Sequence, residues 1–110
     1  MTERLCHVFR VAPGREEEYV RRHVEIWPEM VEAMKAAGFA NYTLFRRGLD
    51  VIAVCECHPD VETCFARFAE HGVAEHSVGE RWQAYMEGMV LDLTDANGEL
   101  VRYEEDLHLD

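Results

Sequence analysis

Tyr19, His23 and Trp27 recur every four residues in the stretch Glu18 to Glu29, EYVRRHVEIWPE. On an α-helix that spacing lines three side chains along one face, about one turn apart. An imidazole with an ordinary pKa of ~6.5 can take or give a proton near neutrality. A phenol one turn away can hold that ring or touch the same ligand. The face also carries Val20, Val24, Met30, Val31 and Met34, so it is expected to point inward. Proton transfer at His23, beside a pocket, is the chemistry this pattern offers. The competing reading is a core histidine with both nitrogens satisfied, and Tyr19 an ordinary helix-to-sheet contact.

Other chemistry-bearing residues are weighed the same way. Trp82 and Tyr85 fit a core, and Trp82 also fits a platform for an apolar ligand face or the C–H face of a sugar ring. Tyr42 reads as a core residue of a strand. Cys55, Cys57 and His58 cluster, followed by Cys64 and His71, without the paired C-x2-C spacing of structural zinc. No metal is expected, and Cys55 and Cys57 read as small buried hydrophobes. His7 reads as a strand residue; His58, His71, His76 and His108 read as turn or surface positions. There is no phosphate-binding glycine loop and no Gly-x-Ser-x-Gly. Ser77 is the only serine, which removes most hydrolase readings.

The elements that must position these groups follow a simple order. Arg4 to Val11 alternates as a strand, with Leu5, His7, Phe9 and Val11 on one side and Cys6 and Val8 on the other. Ala12-Pro13-Gly14 ends it. Glu16, Glu17 and Glu18 suit the positive end of a helix from about Arg15 to Ala37, with Gly38 as its stop. Pro28 is expected to kink that helix one turn beyond His23, because it lacks the N–H that the Val24 carbonyl needs. Phe39 to Arg46 reads as a second strand with Tyr42 and Leu44 on one face and Asn41, Thr43 and Phe45 on the other.

Arg47-Gly48 reads as a turn. Asp50 to Cys57 follows as a third strand, with Val51, Ala53, Cys55 and Cys57 on one side and Ile52 and Val54 on the other. A helix starts at Pro59-Asp60, uses Val61, Phe65, Phe68 and Ala69, and breaks at Gly72. A further helical segment carries Val78, Trp82, Tyr85, Met86 and Met89. After a turn at Asp95 to Gly98, Leu100 to Leu109 reads as a last strand.

Strand, helix, strand, strand, helix, strand is the α+β ferredoxin-like arrangement, an antiparallel sheet with helices on one face. The first and third strands are apolar on both faces, and helices cover only one. A homodimer with sheets packed face to face is the simplest cover for the other, a dimeric α/β-barrel type.

The 110 residues suffice for one domain, 1–110, and 48% of them are hydrophobic, enough for a core. No apolar run approaches the ~20 residues of a membrane span. The N-terminus lacks the basic and apolar regions of a signal peptide, so a cytoplasmic chain with reduced cysteines is expected. A net charge of −11 disfavours nucleic acid, anionic membranes and strongly acidic ligands, and leaves a neutral ligand.

EEYVRRHVEIWPEM, then NYTLF, then ERWQAYM, in this order and at this spacing, resemble the L-rhamnose mutarotase family. The resemblance runs from the first strand through the Trp82 helix. It implies the dimeric ferredoxin-like fold, a catalytic proton donor at His23, and sugar-binding positions at Tyr19 and Tyr42. A tryptophan pair of the family falls on Trp82 and Gln83. Here the second position is an amide, which offers hydrogen bonds instead of a stacking surface. Phe45 also stands where some members carry tyrosine.

The implied reaction opens the sugar ring at C1–O5, turns the aldehyde and closes it again, interchanging the α and β anomers. It needs a proton at O5 and one removed from the C1 hydroxyl, with no metal or redox cofactor. His23 is expected to deliver the proton to O5. The partner base is open among Tyr19, Tyr42 and water. L-rhamnose is the expected substrate, with L-fucose or a related sugar as the alternative after the change at Gln83. A cofactor-free monooxygenase of the same fold class and a non-catalytic binding module are the other classes carried.

Overall fold

The structure, a computed structural model, describes residues 2–71 and 78–109. Its elements in chain order are β1 (Glu3–Val11), α1 (Glu16–Val24), α2 (Pro28–Ala37), β2 (Phe39–Arg47), β3 (Asp50–Cys57), α3 (Val61–His71), α4 (Val78–Tyr85), β4 (Val90–Leu91) and β5 (Arg102–Tyr103). The sheet runs β2-β3-β1-β4, with β5 also pairing β1, and the paired strands are antiparallel. This is the α+β ferredoxin-like order, with β1 and β3 at the centre.

The central strands follow the alternation of their sequences. Leu5, His7, Phe9 and Val11 of β1 are buried, as are Val51, Ala53, Cys55 and Cys57 of β3. One core cluster joins Leu5, Cys55 and Cys57 to Ala37, Phe39, Val61 and Cys64. A second joins Phe9, Val11, Val51 and Ala53 to Tyr19, Met86 and Met89. Each fully buried aliphatic side chain contributes roughly 1.5–3 kcal/mol, so these two rows anchor the helices on the sheet. Phe65 and Ala69, expected inward, are exposed; Cys64 is the buried residue of that turn, although the Phe65 ring still meets Phe39 at 5.4 Å.

The single kinked helix expected over Arg15 to Ala37 is instead two helices. α1 closes at Val24, and Pro28 occupies the first turn of α2, where a missing N–H costs nothing. The physical reason lies at Trp27. A residue before proline is pushed out of the α region, and Trp27 is extended, with ψ 132°. Val20 and Val24 also depart from expectation: they are 39% and 79% exposed and do not share the inward face of Tyr19. Gly38 does end α2, in a left-handed conformation with φ +108°.

β2 carries an irregularity between Ala40 and Thr43, where Asn41 takes φ +50°. The C-terminal strand is shorter than expected. Only Arg102–Tyr103 pairs with β1, and an unexpected strand, Val90–Leu91, takes the remainder of that edge. The Asp95 to Gly98 turn forms, closed by the Gly98 N–H donating to the Asp95 carbonyl at 3.0 Å. Met86 and Met89 lie past the end of α4 but are buried. Gly72, His76 and Ser77 lie outside the described residues, as does the side chain of His71. Among the described residues, no helix is long and apolar enough to cross a membrane.

Candidate active site

A cavity of about 890 Å³ opens between the sheet and the helices. Phe9, Tyr42 and Leu44 line it from the strands, and Met30, Val31 and Met34 from α2. His23 enters from the end of α1 and Trp82 from α4. Lys35, Asn41 and His58 add polar groups to an otherwise apolar lining. A cavity with mostly apolar walls and a few convergent polar groups is the ordinary form of a small-molecule site.

His23 is held from its own helix. Its Nδ1 lies 2.9 Å from the Tyr19 carbonyl. A carbonyl oxygen only accepts, so Nδ1 carries the proton and donates it. In the neutral ring Nε2 then bears the lone pair. Burial lowers the His23 pKa below its ordinary value, and the Tyr19 carbonyl partly offsets this by favouring the charged form. The neutral ring with a basic Nε2 is therefore the resting state at neutral pH.

Tyr19 does not line the cavity. Its ring packs against His23, with centroids 4.2 Å apart, and edge-on to Phe9 at 6.2 Å. Its hydroxyl is buried and has no hydrogen-bond partner among the described residues. Burial raises the Tyr19 pKa to about 12, with Arg46 acting the other way, so the group is a phenol and no base.

Tyr42 is half-exposed, but its hydroxyl reaches inward to His7 Nε2 at 3.0 Å. Burial, with Cys55, Tyr19 and Cys57 nearby, raises its pKa far above the usual phenol range. His7 itself is 6% exposed, a polar side chain in the floor of the core. In the sequence it reads only as a strand residue. Its signal was its phase: it alternates with Leu5 and Phe9, so it had to face the core.

Trp82 stands edge-on to His23, 5.6 Å between centroids. Trp27 and Tyr85 brace it at 5.1 and 5.7 Å. Trp27 thus reaches the site although the helix that was to carry it there is broken. Arg22 ties the two sides together. It donates to the Tyr85 carbonyl and to Glu18, and its guanidinium lies 4.0 Å from the Tyr85 ring centre. Arg81 on α4 donates to Glu29 on α2 at 2.7 Å. Gln83, beside Trp82 in sequence, is exposed on α4 and does not line the cavity.

Cys55, Cys57 and Cys64 are buried in the core, and Cys6 is half-buried on β1. Cys55 and Cys57 sulfurs are 3.9 Å apart, and burial raises both thiol pKa values. Among the described residues, no three His, Cys, Asp or Glu side chains converge as metal ligands do.

The arrangement joins a basic imidazole nitrogen, an aromatic edge and a phenol hydroxyl around one cavity. Comparisons with known proteins point the same way. A family described as L-rhamnose mutarotase matches residues 4–106. The L-rhamnose mutarotase of Listeria monocytogenes serovar 1/2a is 37% identical over 90 residues, 76% of each chain. That of Lactiplantibacillus plantarum is 33% identical over 109 residues, covering 97% of this chain and 98% of its own. The crystal structure of L-rhamnose mutarotase FA22100 from Formosa agariphila superposes with a TM-score of 0.73 over 98% of this chain and 99% of that one. At 18% identity that structure speaks for the fold. A family match over nearly all of the chain, with relatives above 30% identity across most or all of it, shows that the chain belongs to the L-rhamnose mutarotase family.

Proposed function

We propose that this chain, working as one domain over residues 1–110, interconverts the α and β anomers of L-rhamnose, with His23 as the proton-transfer group. The observation that carries the reading is the His23 ring: neutral, held by the Tyr19 carbonyl, and lining a cavity large enough for a monosaccharide. Nε2 takes the proton of the C1 hydroxyl as the C1–O5 bond opens. The imidazolium so formed returns a proton to O5. Both oxygens are bonded to C1, so one nitrogen can serve both. Closure on the other face of the aldehyde reverses the steps and yields the second anomer. The proton is conserved across the cycle, and no electron pair leaves the sugar.

Trp82 supplies a surface for the sugar's C–H face, and the apolar α2 side chains suit the methyl group of a 6-deoxy sugar. Tyr42 donates a hydrogen bond from the sheet. The Tyr19 hydroxyl is buried away from the cavity lining, so the part left to Tyr19 is to hold the His23 ring with its own ring and carbonyl rather than to touch the sugar. Gln83 is the weakest of the sugar-binding assignments, because its side chain stands outside the cavity.

The working form is a homodimer covering the open sheet face, where Val8 lies opposite Ile52 and Ile52 opposite Phe45. A cytoplasmic location fits the free thiols of Cys6, Cys55, Cys57 and Cys64. The test is NMR saturation transfer between α and β anomeric signals of L-rhamnose, with L-fucose and unrelated sugars as controls. Transfer with L-rhamnose that disappears in His23→Ala is expected. No transfer with any sugar would remove the reading, and oxygen uptake with an electron-rich aromatic would replace it with a monooxygenase.

A further inference from the structure

We propose that His7 is a positioning residue for the reaction: its Nε2–H donates to the Tyr42 hydroxyl oxygen, so that the phenol's own hydrogen is turned into the cavity as a fixed donor to the sugar ring oxygen. The inference rests on the mutarotase reading above. It starts from an imbalance in the core. His7 is more than nine-tenths buried, it has two ring nitrogens, and only one of them has a partner. Nε2 lies 3.0 Å from Tyr42 Oη, while Nδ1 has none among the described residues.

Burial lowers the His7 pKa, so the ring is neutral and carries one proton. A proton on Nδ1 would leave a buried N–H orphaned. A proton on Nε2 leaves only a lone pair unpaired, and orphaned buried N–H groups are the rarer of the two. The ring is also fixed in place, stacked on Phe9 at 5.9 Å and edge-on to Tyr42 at 6.3 Å.

The consequence reaches the cavity. A hydroxyl that accepts from His7 is free to donate elsewhere, and Tyr42 lines the cavity that His23 also lines. O5 gains negative charge as C1–O5 opens. A fixed donor there acts as oxyanion donors do, from the sheet side, while His23 moves the proton from the helix side. Tyr42 keeps its own proton throughout. A leucine or phenylalanine at position 7 would leave the Tyr42 hydroxyl without this donor.

Two experiments decide the proposal. The first needs no sugar. In ¹⁵N-labelled protein at pH 7.5, ring nitrogen shifts of His7 are expected to show a protonated Nε2 and a bare Nδ1, with Nε2 shifting in Tyr42→Phe. A protonated Nδ1 would overturn the proposal, since Tyr42 would then spend its hydrogen on His7. The second is a double-mutant cycle read by anomer exchange with L-rhamnose. His7→Leu is expected to lower kcat about 10–100-fold with a smaller change in KM, and His7→Gln, whose amide N–H can replace Nε2–H, to recover most of it.

In a Tyr42→Phe background, His7→Leu should cost no more than about 2-fold further. Losses that multiply in the double variant would show that His7 serves packing alone. If His7→Leu fails to fold, the Gln variant and the ring shifts still decide. Absence of turnover in the unmodified protein would count against the mutarotase reading, whereas the His7 tautomer stands or falls on its own spectrum.

Discussion

His23 Nδ1 donates to the carbonyl of Tyr19, four residues earlier on the same helix, at 2.9 Å. That single bond leaves Nε2 as the ring nitrogen without the proton, the one the proposed mechanism uses. It also ties the ring to helix α1 rather than to a loop, so the imidazole keeps its orientation without a ligand. His23→Ala is expected to lower anomer exchange by about 10²–10⁴-fold while circular dichroism and melting change little. In the proposed mechanism the competent form is the neutral ring, and burial holds its pKa below the ordinary value of 6.5. Acidification protonates Nε2 and removes the base. Exchange should therefore be level at and above pH about 7 and fall only as pH drops through that lowered pKa. A rate that rises on acidification would mean that the imidazolium is the starting form. Saturation transfer measured between pH 5 and 8 checks the direction.

Trp82 and Gln83 are neighbours in sequence but not in surroundings. Trp82 lines the cavity and meets His23 edge-on, whereas Gln83 is exposed and does not line it. Trp82→Leu is expected to raise KM and lower kcat/KM by about 10–100-fold, the loss of one aromatic surface worth roughly 1–3 kcal/mol. Gln83→Ala is expected to leave both constants within about 2-fold and stability within about 0.5 kcal/mol, as for an exposed surface position. A large effect at Gln83 would require α4 to turn on binding sugar. Steady-state exchange rates across a concentration series of L-rhamnose separate the two outcomes.

Much of this architecture is legible without coordinates, for identifiable reasons. β1 and β3 alternate with period two and are apolar on both faces, so their existence and the rows they bury are readable from the sequence. Tyr19 and His23 lie one turn apart within an uninterrupted helix, and their contact is local. The sequence misleads where a local rule is outweighed or where two distant segments meet. The four-residue recurrence of Tyr19, His23 and Trp27 suggested one helix, but the restriction that Pro28 places on Trp27 ends it. Trp27 still finds Trp82, by tertiary packing that no spacing encodes. The irregularity in β2 puts Phe39 and Leu44 on the same side, five residues apart, which strict alternation forbids. The C-terminal strand is short although half of Leu100 to Leu109 is apolar: Tyr103, Leu107 and Leu109 flank the acidic run Glu104-Glu105-Asp106 and stay 63%, 76% and 80% exposed, outside any core. His58 reaches the cavity and His7 reaches Tyr42 across long stretches of chain, so neither contact has a local signature.

The open face of the sheet predicts an assembly. Ile52 is 43% exposed and Phe45 58%, and they lie opposite each other with Val8 on the far side of Ile52. An exposed row of this kind marks an interface, and at a net charge of −11 two copies associate only if apolar contact outweighs their repulsion. Sedimentation equilibrium is expected to give twice the chain mass. Ile52→Asp places a carboxylate in the row and should yield monomer, more completely at low salt than at high. A monomeric unmodified protein would leave those side chains without a cover and defeat the prediction.

Gly38 gives the sharpest test of packing around the cavity. It closes α2 at φ +108°, and its N–H donates to the Lys35 carbonyl at 3.0 Å. The His58 N–H donates to its carbonyl, also at 3.0 Å, which draws the end of β3 against the helix stop. A Cβ added at Gly38 would stand 2.3 Å from the His58 carbonyl oxygen and 2.9 Å from the Cys64 sulfur. The first neighbour is backbone and cannot turn aside, so the strands or the helix end must move. Strain at positive φ and overpacking together should cost Gly38→Ala about 2–4 kcal/mol, or roughly 10–30 °C in Tm. Gly48 is the control: it also has positive φ, +61°, but nothing lies within 4 Å of an added Cβ. Gly48→Ala should therefore show only the conformational part, about 1–2 kcal/mol. Because Gly38, Phe39 and His58 all border the cavity, the Gly38 variant should also lose sugar affinity at temperatures where it is still folded. Equal melting losses for the two variants would mean that the contact with His58 relaxes freely, and that α2 is not pinned to the sheet at this point.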